Sequence, residues 1–172
     1  MLAPCDDPRE TGGPDDPAQK TPGTRVLVLS DQPLISDAVR TALRSQGLDA
    51  VGATITPGPV GRAQLARLEQ LAPSVLLVVS ELTRESRLAA ARAVIEGLHL
   101  PTVVLATTED EALWGAVLES GASTVLPASV SLDEVVAVLT AAERGTPLLA
   151  PHHRRALIEA WRRAVRTRDE LG

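Results

Sequence analysis

Few residues in this chain have the types and spacing that chemistry needs. There is no Gly-rich phosphate loop, no G-x-S-x-G nucleophile elbow and no H-E-x-x-H zinc helix. The single cysteine, Cys5, cannot form an internal disulfide, and no Cys–His pair exists outside the first residues. His152 and His153 are neighbours, and adjacent side chains on a helix point different ways, which disfavours joint metal binding. What remains is a set of polar residues at the ends of apolar runs. Ser30 and Asp31 follow residues 26–29, Ser80 and Glu81 follow residues 75–79, and Thr107 lies just past residues 102–105. Asp31 fits a helix N-cap, because Pro33 suits the first helical turn. Glu81 reads either as a solvated loop residue or as a fixed negative charge beside a pocket.

Bulk properties narrow the choice. The net charge of −5 excludes the whole chain as a general nucleic-acid binder. Hydrophobic residues make up 44%, enough for a core of ordinary size. With two Trp and no Phe or Tyr, that core must be built from Leu, Val, Ile and Ala. Such a core suits a parallel sheet buried on both faces. No apolar run approaches the ~18 residues of a membrane span. Residues 1–20 lack the basic-then-apolar order of a signal peptide, so a cytoplasmic protein is expected.

The polar residues must be positioned by the elements between them. Residues 1–23 are rich in Pro, Gly and acids and read as a disordered tail. Short apolar runs at 26–29, 75–79, 102–105 and 123–126, with a weaker one at 48–53, read as strands. Helical spacing follows each of them. Leu34, Ile35, Ala38, Val39, Ala42 and Leu43 lead into Gly47. Leu65, Leu68 and Leu71 mark a short second helix, and residues 85–97 a third. A capping box from Thr108 to Glu111 opens the fourth helix and one from Ser131 to Glu134 the fifth. Strands alternating with helices imply a doubly wound parallel α/β sheet, in which the order 2-1-3-4-5 is expected at this size. Residues 24–150 form that domain. Residues 151–172 form an extra amphipathic helix with Leu157, Ile158, Trp161 and Val165 on one stripe and six arginines around it. It reads as a linker or dimerisation helix; contact with DNA phosphates is the less favoured reading.

Four segments carry a resemblance: "VLVLSDQPLISDAVRTALRSQG" at 26–47, "PSVLLVVSEL" at 73–82, "PTVVLATT" at 101–108 and "GASTVLPASVSLDEVVAVLTAAERGTPLLAP" at 121–151. Together they resemble the receiver domains of two-component response regulators, most closely those joined to a LuxR-type helix-turn-helix. The resemblance implies a flavodoxin- or CheY-like fold and a phosphorylation site at the carboxyl ends of the strands. In that family two acids after strand one and an Asp ending strand three hold Mg²⁺, and that Asp takes the phosphoryl group. A Thr or Ser after strand four and a Lys after strand five bind it.

Here the acidic pair falls on Ser30 and Asp31, the acceptor on Val79, the hydroxyl on Ala106 with Thr107 adjacent, and the lysine on Ala128. Shifting the acceptor by one or two positions gives Ser80 or Glu81, neither an Asp. The only lysine is Lys20, and no Phe or Tyr exists to serve as the family's aromatic switch. Valine has no nucleophile. The expectation is therefore a pseudo-receiver that is no enzyme, needs no cofactor or metal and regulates transcription through protein contacts. It would act as a homodimer, with a partner regulatory protein or an attached DNA-binding domain expected after Gly172. Trp114 and Val117, with Leu157 and Trp161, are the contact candidates. The alternative is a sensor that takes a small molecule in a pocket lined by Ser30, Ser80, Thr107 and Ala128.

Overall fold

The structure, a computed structural model, describes residues 23–172. The expected disordered tail lies outside these residues except for Gly23. Five strands form one parallel sheet: β1 (Arg25–Ser30), β2 (Asp49–Thr54), β3 (Val75–Ser80), β4 (Thr102–Ala106) and β5 (Thr124–Pro127). Their order is β2-β1-β3-β4-β5, as the alternating pattern predicts. Between and after them run α1 (Pro33–Ser45), α2 (Arg62–Gln70), α3 (Glu85–Leu98), α4 (Glu111–Glu119) and α5 (Leu132–Glu143). The chain closes with α6 (Pro151–Leu171).

Each central strand is buried on both faces, so its apolar run is unbroken and successive residues divide between two cores. Leu27 and Leu29 of β1, Leu76 and Val78 of β3 and Val104 of β4 pack under α2, α3, α4 and α6. Val26, Val28, Val75, Leu77, Val79, Val103 and Leu105 pack under α1 and α5.

Local signals differ from the sequence reading at three helix ends. Asp31 does not cap α1; Gln32 holds the N-cap position without a side-chain bond, and the Gln32 amide donates to Ser30 Oγ at 3.1 Å. Thr108 and Glu111 do not form a capping box. Asp110 caps α4 by accepting from the Ala112 amide at 3.0 Å, while Thr108 Oγ1 accepts from the Asp110 amide at 3.1 Å. Asp110 holds the N-cap position immediately before α4, so its carboxylate is the acceptor within reach of the free amide. Gly97 does not end α3, which runs on to Leu98 and stops at left-handed His99. Its role is proximity: a Cβ there would meet Leu65 Cδ1 of α2 at 2.6 Å. The Ser131 cap of α5 forms as expected, accepting from the Glu134 amide at 3.2 Å. Leu34, counted among the helical repeats of α1, is exposed.

The final helix has a different place from a free linker. It lies along α4 of its own chain, burying Leu157 and Trp161 against Leu113, Trp114 and Val117. Arg154 donates from Nη1 to the Ala122 carbonyl and from Nη2 to the Leu118 carbonyl, both at 2.8 Å, and so satisfies acceptors at the end of α4. Arg162 pairs with Glu119 at 2.8 Å, and the Arg92 guanidinium of α3 lies 5.5 Å from the Trp161 ring centre. The close approach depends on Gly115, where a Cβ would meet the Leu157 carbonyl oxygen at 2.0 Å. Trp114, Val117, Leu157 and Trp161, the candidates for contact with a second copy, are thus used within one chain. Burying a large apolar side chain is worth about 1.5–3 kcal/mol, so Leu157 and Trp161 alone give the docking substantial stability.

Gly115→Ala gains up to about 1 kcal/mol of helix propensity, but overpacking against backbone costs about 1–3 kcal/mol. The expected net result in urea unfolding is a less stable protein with a more exposed Trp161 by fluorescence. A variant as stable as the parent, with unchanged emission, would contradict the docking.

Candidate functional site

Parallel strands bring their carboxyl ends to one edge, and the strand order reverses between β2-β1 and β3-β4-β5. A crevice forms at that switch point. The register places Ser30 beside Val79 and Ser80 beside Ala106, with Pro127 beyond. Ser30, Val79, Ser80 and Ala106 are all buried. Asp31 and Glu81 follow on the loops above them. Thr107 and Ala128 are exposed, so they lie outside the enclosed part of the crevice. The Ala128 amide donates to the Ala106 carbonyl at 2.9 Å, which joins the two loops through backbone alone. His152 and His153 are exposed on the first turn of α6, far along the chain from this edge.

The residue that organises the crevice was not singled out in the sequence. Arg87, in the first turn of α3, reaches back between the two carboxylates. Its Nε lies 2.5 Å from Asp31 Oδ2 and its Nη1 lies 2.6 Å from Glu81 Oε2. Thr83 Oγ1 donates to the other Glu81 oxygen, Oε1, at 3.1 Å. The Asp31 side chain is only 8% exposed and Arg87 18%, whereas Glu81 is 43% exposed. The Glu81 contact is a well-aligned hydrogen bond. The Asp31 contact is oblique: Oδ2 is paired in charge but accepts no aligned hydrogen bond. Asp31 therefore depends on Arg87 electrostatically, and its burial makes that dependence strong.

One signal for Arg87 does exist in the sequence. A helix N-terminus disfavours a positive side chain by a few tenths of a kcal/mol, so a cation there calls for a compensating anion. Here Asp31 and Glu81 supply two.

The enclosed cavity at this point is about 10 Å³, lined by Ser30, Asp31, Ile55, Val79, Ser80 and Arg87 among others. That is about the space of one water. The lining expected for a small molecule, with Thr107 and Ala128, does not assemble, because Arg87 fills the centre and those two residues face solvent. The Mg²⁺ that the resembled family implies does not fit these residues either. Val79 stands where the resemblance would put the acceptor carboxylate, and the carboxylates of Asp31 and Glu81 are both engaged by a guanidinium at contact distance. Among the described residues no group of three or more His, Cys, Asp or Glu could hold a metal ion.

No protein-family model matches the chain, and no curated protein matches it in sequence. Solved structures match it in fold. The RcsB response regulator of Salmonella typhimurium is 18% identical, with a TM-score of 0.56 over 80% of this chain and 67% of that one. The signal receiver domain of the response regulator NarL from Mycobacterium tuberculosis is 23% identical, with a TM-score of 0.55 over 72% of this chain and 98% of that one. The receiver domain of the Francisella response regulator 1452 is 17% identical, with a TM-score of 0.57 over 72% and 98%. RcsB has also been solved as dimers bound to two parallel DNAs, with a TM-score of 0.58 at 18% identity over 78% of this chain and 67% of that one. The fold is that of response-regulator receiver domains.

Val79→Asp would restore a carboxylate at the acceptor position, in a place built for an apolar side chain. The expected cost is about 3 kcal/mol at neutral pH, since the new charge is buried beside two existing carboxylates. Burial raises the pKa of such an acid, so the loss should shrink as the pH falls and nearly vanish by about pH 3, below the unfolded-state value of about 3.9, where it is mostly protonated in both states. Urea unfolding at the two pH values checks this; no loss at neutral pH would contradict the apolar placement.

Proposed function

We propose that this chain is a pseudo-receiver: a regulatory module that uses the receiver fold without phosphoryl transfer and acts through protein contacts. The observation that carries the reading is Val79, buried at the carboxyl end of β3 where a phosphoryl acceptor would stand. A valine offers no electron pair, and the chain's only lysine, Lys20, precedes β1 altogether. Arg87 adds to it by pairing with both Asp31 and Glu81.

On this reading the protein is cytoplasmic, is not an enzyme and belongs with the LuxR-type transcription regulators. Its contact with DNA would come through an attached DNA-binding domain. RcsB, which shares the fold, forms dimers on DNA, and a homodimer is part of this proposal. The contact face of that dimer lies away from the groove between α4 and α6, since Val117 is buried and Trp114 half-buried within the chain. The small-molecule reading receives no support at the strand ends, where the cavity admits about one water.

The test is incubation with a small phosphoryl donor and Mg²⁺, followed by intact-mass measurement. The unmodified mass is expected at every time point. A base-labile adduct of one phosphoryl group would overturn the proposal.

A further inference from the structure

We infer that the Arg87 guanidinium is the built-in cation of this site: it stands in for a divalent metal and holds β1, the β3–α3 turn and α3 in one arrangement. The inference rests on the phosphorylation-independent reading and deepens it, by saying what occupies the charged crevice once metal and phosphate are gone.

Three observations converge on Arg87. Its two contacts come from different elements, Asp31 after β1 and Glu81 after β3, so a single side chain crosslinks two strand ends to a helix. The Asp31 carboxylate is more than nine-tenths buried, and Oδ2 accepts no aligned hydrogen bond, so the guanidinium is what offsets its charge. The cavity left beside them has room for about one water, too little for a partly hydrated Mg²⁺ with ligands at about 2.0–2.1 Å. A metal could enter only if Arg87 left.

The geometry also selects arginine over lysine. The planar guanidinium spreads its charge over Nε and Nη1, which contact one carboxylate each, and the group cannot lose its proton at any ordinary pH. An ammonium is a single point charge and would have to choose between the two acids. The base of the side chain is fixed as well. Its neighbours Leu88, Ala90 and Ala91 are buried in the core under α3, so the guanidinium is presented from a rigid element. A metal-dependent site changes when its ion or its phosphoryl group arrives. This site carries its cation covalently and has one state.

The experiment compares thermal midpoints of the full chain with and without millimolar Mg²⁺ or Ca²⁺, at ionic strength matched with sodium chloride to remove screening. The parent protein is expected to show no divalent-specific shift. Arg87→Ala should melt several degrees lower and recover part of that loss when either divalent cation is added, because Asp31 and Glu81 are then free to bind it. Arg87→Gln keeps the packed stem without the charge and should behave in the same way, which secures the test if the alanine variant does not fold. Arg87→Lys should fall between parent and alanine. An Arg87→Gln protein as stable as the parent, or one that ignores both cations, would overturn the inference. A divalent-specific rise in the parent would instead strike at the phosphorylation-independent reading itself.

Discussion

The structure depends on one constraint: a parallel sheet must be covered on both faces, and all its strands then end at the same edge. Every strand residue of β3 and β4 is buried, and β1 is nearly as deep. With no Phe or Tyr in the chain, the two cores are assembled from branched and small aliphatic side chains that interlock with short helices. That packing leaves no freedom at the strand ends. Polar groups placed there must be satisfied locally. Ser30 takes the Gln32 amide, and the two carboxylates share one guanidinium.

Helix α3 links this edge to the rest of the molecule. Arg87 near its start holds the charged crevice. One and a half turns further on, Arg92 donates from Nε to Ser120 Oγ at 2.7 Å and lies against Trp161. The same helix therefore touches the crevice at the strand ends and the seam between α4 and α6.

Much of this was legible in the residues. Apolar runs and helical spacing placed the five strands and six helices, because burial on two faces writes itself as unbroken Val and Leu. That no Asp stands at positions 79–81 and that the chain's lone lysine is Lys20 is equally plain in the sequence. Other features were not legible, for physical reasons. Asp31 beside Pro33 has the composition of a helix cap, and only the three-dimensional position of Arg87 turns it away from α1. The docking of α6 was hidden because a stripe such as Leu157 and Trp161 reads the same whether it meets its own chain or another. Gly97 looked like a helix end and proved to be a contact point for Leu65. Sequence periodicity states that a face is buried; it does not state what buries it.

The central claim is that a fixed internal cation has replaced a metal-dependent phosphorylation site. The Arg87 Nε–H resonance reports on it most directly, in a two-dimensional nitrogen–proton spectrum. The account predicts a resolved signal that stays in place when Mg²⁺ and beryllofluoride are added. A signal that moves in a saturable way with Mg²⁺ and beryllofluoride would contradict it.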